Sequence, residues 1–452
     1  MPNPEWPGES MQLRNRIHYA WVIVAIAAMM GFITSSVRFA AAALVPHLSD
    51  PAAGFGWSYG AISLAFSLQW IIFGLASPYV GWLGDRYGVR WFLLIGSVLF
   101  IIGMLLTGIM NSLWQFYLFF GVILGVASTI FTVLPVSGIT LWFRRRLGIA
   151  MGVVWSFQGI GVVAFLFLIG AAFNRLGIQW IFWLPGIIGG ALLLVLVRFF
   201  YNGPADIGLR PFGDVGDEPI QRSRRDETTK IRARVFIQQA RRTATFWNLI
   251  GIHYWGCMGH QIINVLVVAI AVDRGLSLEA AVGVLAAQQT VGVIARGAVP
   301  VVAEQWGCRL VWVVGMALQV FPLLLILFFN DLWAYYLFGV LFGIGQSTEV
   351  PTFPIANRQY YGNVPQGSLY GWQSLGSGLG MGLAPVCAGL LWDFTGTYLA
   401  PLLMSLGFSS MALVQSWLLP SPRVRQIPDW ETHLPANLRP AAQPSTSTGH
   451  VG

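Results

Sequence analysis

Long runs without a single charge constrain this chain more than any other feature. Between Asp50 and Asp85 lie 34 residues with no Asp, Glu, Lys or Arg (51–84), and between Arg90 and Arg144 lie 53 (91–143). A membrane-spanning helix needs about 20 apolar residues. Soluble domains carry about 25% charged residues, whereas this chain has 10%, against 56% hydrophobic. A soluble core cannot absorb that apolar excess, but lipid can. Gly, Pro and Asn breaks divide the runs. The resulting expectation is twelve helices, at 18–46, 57–83, 90–110, 113–142, 147–173, 179–201, 245–272, 277–302, 309–329, 332–357, 366–392 and 397–419.

The chain thus reads as an all-α membrane protein of two six-helix halves, 18–201 and 245–419. A short N-terminus (1–17), a middle loop (202–244) and a tail (420–452) flank them. The tail is rich in Pro, Ser and Thr, which predicts disorder. In the loop, Lys230-Ile-Arg232-Ala-Arg234-Val-Phe236 sets Ile231 and Val235 four apart on a basic stretch. That pattern reads as an amphipathic helix on the membrane surface, with a solvated linker as the alternative.

Lys and Arg set the orientation. Loops on one side carry only Arg175 and Arg274, and Arg38 and Arg296 fall within helices, so 26 − 4 = 22 lie on the side shared by both termini. That side is expected to be cytoplasmic, in a plasma membrane (the inner membrane of a bacterium). The net charge of +8 then reflects topology and implies no nucleic-acid partner. The N-terminus shows no cleavable signal peptide, because its first apolar run is too long. Cys257, Cys308 and Cys387 show no CxxC and no metal-ligand spacing. Neither a disulfide framework, nor a metal site, nor a cofactor is expected. No HExxH, nucleophile elbow or phosphate loop suggests an enzyme.

The halves repeat each other at an offset near 219. Gly81-Trp-Leu-Gly-Asp85-Arg86-Tyr-Gly88-Val-Arg90 follows helix two, and Pro300-Val-Val-Ala-Glu304-Gln305-Trp-Gly307-Cys-Arg309 follows helix eight. Phe120-Gly121-Val122 answers Phe338-Gly339-Val340, and Gly159-Ile-Gly161 answers Gly378-Leu-Gly380. Duplicated halves with a site between them at the bilayer midplane are an architecture of secondary transporters. Gly148/Gly152 and Gly378/Gly382, at four-residue spacing, would let helices approach closely.

Gly81, Leu83, Asp85, Arg86, Gly88 and Arg90 resemble the loop signature of the major facilitator superfamily, with Val89 in place of its usual basic residue. The resemblance implies a gate latch built on this acid, extended by the repeat to Glu304 and Arg309. A narrower resemblance is to the monocarboxylate and oxalate–formate transporters, chiefly the bacterial branch. It rests on Phe55-Gly-Trp-Ser58 with Ile62-Ser63, on Leu141-Trp-Phe-Arg-Arg-Arg146-Leu-Gly-Ile-Ala-Met-Gly152, and on Pro204-Ala-Asp-Ile-Gly-Leu-Arg-Pro211. It implies small organic anions as substrates.

Charges inside apolar helices cost several kcal/mol, so such residues are site candidates. Arg296 in helix eight stands where the resembling family binds a substrate carboxylate, a task that suits the guanidinium fork. The alternative is snorkelling to the interface. Arg38 in helix one adds a second cation, although related eukaryotic members place a lysine nearer that helix end. His260, mid-helix seven, is able to change charge near neutral pH. Glu349, beside Pro351 and Pro354 in helix ten, is a candidate for proton coupling with His260; a structural ion pair is its alternative. Oxalate–formate members carry a lysine in helix eleven, yet no basic residue occurs from Gly367 to Trp392. Tyr370 and Gln373 are the polar substitutes there, which favours a monoanion over a dicarboxylate. Trp155, Gln158, Gln288 and Gln289 are further candidates to line the cavity.

The expectation is therefore a monomeric secondary transporter moving a monocarboxylate by alternating access, with a proton as coupling ion. An exporter of drugs or metabolites and a transporter-like sensor are the rivals.

Overall fold

The computed structural model describes residues 18–40, 45–53, 55–215, 227–362, 364, 366–422 and 424–439. Its long helices are α1 (Tyr19–Ala40), α2 (Tyr59–Tyr87), α3 (Val89–Gly108), α4 (Leu113–Trp142), α5 (Leu147–Leu176) and α6 (Ile178–Phe199) in the first half. The second half contributes α7 (Ala244–Asp273), α8 (Leu278–Trp306), α9 (Cys308–Phe328), α10 (Leu332–Gln346), α11 (Gln366–Thr395) and α12 (Leu399–Leu418). All except α1 and α10 are long and apolar enough, over their described residues, to cross a membrane. α10 breaks after Gln346 and resumes at Phe353–Tyr361 through a 3-10 turn at Val350–Thr352. Pro351 and Pro354 account for the break, because proline removes a donor and clashes with the preceding turn.

The sequence repeat is a repeat of local structure. Ser58 caps α2 by accepting from Ala61 N at 3.3 Å, and Ser277 caps α8 by accepting from Ala280 N at 3.3 Å. The far ends also match. Gly88 (φ 100°) ends α2 and Gly307 (φ 96°) ends α8, a left-handed conformation that glycine alone adopts without strain. Because these glycines do the stopping, the helices run on to Tyr87 and Trp306. Asp85 and Glu304 therefore stand in last turns, not in the loops that a helix end at 83 or 302 would leave. Arg90 donates to the Arg198 carbonyl at 3.1 Å, and Arg309 donates to that of Trp417 at 2.8 Å. These arginines tie α3 to α6 and α9 to α12 within each half.

Between halves, α11 lies along α2 and α5 lies along α8. Small residues permit this. A Cβ at Gly81 would strike the Gly367 carbonyl, one at Gly371 the Ser77 carbonyl, one at Gly148 the Pro300 carbonyl and one at Gly152 the Gly297 carbonyl. Such backbone contact needs glycine on the crossing face. α1 and α7, by contrast, make no extended packing with each other among the described residues.

The middle loop holds a helix at Glu227–Ala240. Its buried stripe is Ala233, Phe236 and Ala240, not the Ile231/Val235 pair. Phe236 packs edge-on against Tyr361 and Trp430, so this face is spent on protein. The tail likewise differs from the disordered expectation over residues 424–439. Trp430 anchors it, Leu434 is buried and Glu431 pairs with Arg232.

Substituting Gly81 by Leu should force α2 and α11 apart at an overpacking cost of about 1–3 kcal/mol. Spin labels on the Gly88 and Gly362 turns should then move farther apart than in the wild type. An unchanged distance distribution would contradict the close-packing role of Gly81.

Candidate functional site

Two carboxylates close the face that carries both termini. Asp85 accepts from Gly367 N at 2.9 Å and Ser368 N at 2.6 Å. Glu304 accepts from Leu147 N at 3.1 Å and Gly148 N at 2.7 Å. Each acid of one half thus caps a helix of the other, α11 or α5. The first N–H groups of a helix lack intrahelical partners and carry partial positive charge. The donors Gly148 N and Gly367 N, like the acceptors Asp85 and Glu304, are separated by 219, so the two latches are pseudo-symmetric. Arg358, past the α10 break, adds a third tie. It donates to the carbonyls of Thr140 (2.9 Å), Arg144 (3.4 Å) and Phe143 across the halves.

Among the other gating candidates, Gly81 sits against Gly367 as described. Arg86 rests over the rings of Trp82 and Tyr87, each 5.2 Å from the centroid. Gly88, Arg90 and Arg309 shape each half rather than bridge between them.

Arg296 lies one residue from Gly297, which touches α5 at Gly152. On a helix that turns about 100° per residue, Arg296 is about 200° from Ile294, which is 68% exposed on the outer surface. Its direction falls between the face packed on α5 (Val293, Gly297) and the face packed on α10 (Gly292). It points neither to lipid nor to the terminal interface; Glu304 lies two helical turns nearer that interface. Arg296 is partly accessible. No described residue gives its guanidinium a hydrogen bond or an ion pair.

Two unpartnered donors sit on the helices packed against α8. Trp155, on α5 near the Gly152 crossing, is buried with its indole N–H unpartnered. The amide nitrogen of Gln346 is also unpartnered and lies 3.7 Å from where a Cβ of Gly292 would stand. Seven residues above Arg296 on the same face, Gln289 is exposed and donates to Asn264 at 3.3 Å, while buried Gln288 donates to Asn264 at 2.7 Å. This surface is rich in donors and holds no described carboxylate.

The remaining candidates lie elsewhere. His260 Nδ1 is 3.5 Å from Glu349 Oε2, both buried inside the second half. The Cys257 thiol meets Glu349 Oε1 at 3.8 Å. Gln373 exchanges amide hydrogen bonds with Asn357, at 2.6 and 3.0 Å, which commits one N–H and one oxygen lone pair of its amide to protein. Tyr370 is 1% exposed. Gln158 packs on Gly31 in α1. Arg38 belongs to α1, but its side chain lies outside the described residues. Sequence reasoning passed over Arg358, whose partners are backbone carbonyls without a signature. It also passed over the neighbourhood of Cys257, although His253-x3-Cys257 puts two ligating residues on one helical face.

The Major Facilitator Superfamily model matches residues 21–320 and 300–443. The chain belongs to that superfamily, whose members are membrane transporters. The oxalate:formate antiporter of Oxalobacter formigenes is 25% identical over 312 residues, 69% of this chain and 66% of that protein. The MFS-type transporter pynF of Aspergillus niger is 28% identical over 153 residues, 34% of this chain and 35% of its own. The matched region thus spans less than two thirds of each relative. Among solved structures, the outward conformation of FucP aligns with a TM-score of 0.63 at 14% identity, over 88% of this chain and 99% of that one. The proton:xylose symporter XylE, bound to 6-bromo-6-deoxy-D-glucose, aligns with a TM-score of 0.68 at 12% identity, over 89% and 96%. These two establish the shared fold.

Hydrogen bonds to charged groups contribute about 1.5–3 kcal/mol. Asp85→Asn with Glu304→Gln should therefore shift the halves toward opening at the terminal face, more than either change alone. Cysteines placed at Ser77 and Ser156 should then react with maleimides added from that face. Equal protection in the wild type and the double variant would refute the latch.

Proposed function

We propose that this transporter moves a small monocarboxylate, with a proton as coupling ion, by rocking its halves about the surface that bears Arg296. The observation that carries the reading is the Arg296 guanidinium, which no described residue pairs, on the α8 face between those packed on α5 and α10. An isolated cation at membrane depth is costly, and a substrate carboxylate supplies the missing partner. Guanidinium binds carboxylate through two parallel N–H donors. The unpartnered indole N–H of Trp155 and amide of Gln346 would complete the anion's shell. The missing helix-eleven lysine, together with Gln373 held by Asn357, favours one carboxylate over two. Similarity to an oxalate:formate antiporter agrees with an anionic substrate.

Glu349 and His260 suit the coupling step. A carboxyl and an imidazole 3.5 Å apart in an apolar interior share one proton at less cost than two separate charges. The arginine distribution supports cytoplasmic termini. With that face latched, the structure corresponds to an outward-facing state. It resembles FucP, solved in its outward conformation.

Uptake of labelled monocarboxylates into proteoliposomes under an imposed pH gradient tests the reading. Arg296→Ala should lower uptake on the order of 100-fold or more, since removing one partner of a buried charge pair costs about 3–5 kcal/mol. Wild-type inactivity across a broad panel of acids, or undiminished uptake by Arg296→Ala, would overturn the anion assignment. Glu349→Gln should separate the two roles. Counterflow exchange of substrate should persist, while accumulation driven by the pH gradient should vanish. Accumulation that survives in Glu349→Gln would remove this residue from coupling.

A further inference from the structure

Buried polar atoms without partners gather at one place in the second half, behind the Arg296 surface. His253 and Cys257 are one helical turn apart on α7, and Glu349 reaches them from the α10 break. One ligand atom from each lies within 4.8 Å of the others. This is the one cluster of three or more His, Cys, Asp or Glu residues with metal-binding geometry among the described residues. All three are at most 1% exposed. Both ring nitrogens of His253, Nδ1 of His260 and Oε2 of Glu349 have no hydrogen-bond partner. Unsatisfied buried polar atoms are rare and costly, and their gathering at the His253–Cys257–Glu349 cluster points to a missing ligand.

We propose that His253, Cys257, His260 and Glu349 form a tetrahedral site for one Zn2+-like divalent cation. Tetrahedral zinc with bonds of about 2.0–2.3 Å sets its donors about 3.3–3.8 Å apart. Cys257 Sγ lies 3.8 Å from Glu349 Oε1, which is one such edge, and His260 Nδ1 lies 3.5 Å from the other carboxylate oxygen. Both histidines have to move inward: His253 from within the 4.8 Å cluster, and His260 by following the Glu349 carboxylate. The His253 ring is stacked on Phe353, 4.2 Å between centroids, and sliding along that face keeps the stacking. The mixed His, Cys and carboxylate donors suit zinc, whereas calcium and magnesium favour oxygen ligands. Charge also balances. A thiolate and a carboxylate neutralise the dication, two imidazoles stay neutral, and the thiol and carboxyl protons leave to solvent on binding. The site is sealed, so the ion enters through local opening of α7 against α10 and loads slowly.

Such an ion would occupy Glu349 and His260 and displace the shared proton. Block of transport by zinc rests on the coupling role proposed above; binding itself does not.

The test is Co2+ titration of the full-length protein in detergent, followed by absorption. One equivalent should give the visible bands of tetrahedral cobalt and a near-ultraviolet thiolate-to-cobalt band, and Zn2+ should bleach both. Cys257→Ser, close in volume and outside the substrate machinery, should lose the thiolate band. His253→Ala should weaken binding on the order of 100-fold. No saturable binding near one equivalent would overturn the proposal. So would a thiolate band that survives in Cys257→Ser, since the metal would then sit on Cys308 or Cys387. Zn2+ should also arrest proteoliposome uptake by the wild type and spare Cys257→Ser. A Cys257-dependent cobalt spectrum with zinc-insensitive transport would uphold the site and remove Glu349 from coupling.

Discussion

The carboxylate of one half bound to the helix N-terminus of the other is the interaction on which this architecture depends. α5 and α11 each begin with backbone N–H groups that no residue of their own helix satisfies. In the latched state Glu304 and Asp85 satisfy them. When the halves part, water has to replace the carboxylate at both helix ends. The two latches sit at pseudo-equivalent places on one face, so the proposed rocking motion would break them together. That reciprocity turns two modest interactions into a switch with two states. The glycine rows beneath serve the same end. Without a Cβ at Gly81 or Gly148 the helices approach closely enough for a short acid to reach the facing helix terminus.

The fold was legible because its strongest signals are redundant. Charge-free runs, arginine placement and the 219-residue repeat agree on twelve helices in two halves. The repeat extends to details that matching motifs alone do not promise, such as the Ser58 and Ser277 caps. It held a further clue. The donors Gly148 and Gly367 are offset like the acceptors Asp85 and Glu304, so the cross-half pairing was latent in the sequence. Boundaries were less legible. The helices run past the acid until a positive-φ glycine stops them, and hydropathy had ended them sooner. The tail misled for another reason. Its composition is that of a disordered segment, but Trp430 and Leu434 suffice to anchor a short strap.

Among site residues, legibility tracked chemical rarity. Arg296 was visible because a lone arginine in an apolar helix is costly. Gln373 shows the opposite. A glutamine in a glycine-rich helix looks available, but whether its amide is free depends on Asn357, sixteen residues away in another helix. No local pattern encodes that pairing. His253 and Cys257 form an i, i+4 pair on helix seven that the sequence reading passed over. Their third member, Glu349, comes from a different helix, and only the folded chain brings it near.

The break in α10 joins these parts. Gln346, the last residue before it, directs an unpartnered amide toward the Arg296 surface. Ser347 donates to the Gly292 carbonyl at 3.0 Å, one turn from Arg296, and Glu349 two residues on faces His260 inside the half. Coupling between two sites requires an element with two arrangements that both sites bias. An intact helix transmits poorly here, because its hydrogen bonds fix each side chain to its turn. A segment with two prolines and a 3-10 turn has fewer such bonds and re-forms at lower cost. In the proposed mechanism, filling the Arg296 surface draws on Gln346 and Ser347, and a change of proton at Glu349 alters the same few residues from the other side. The break lets a surface between the halves and an acid buried within one of them bear on a single stretch of backbone.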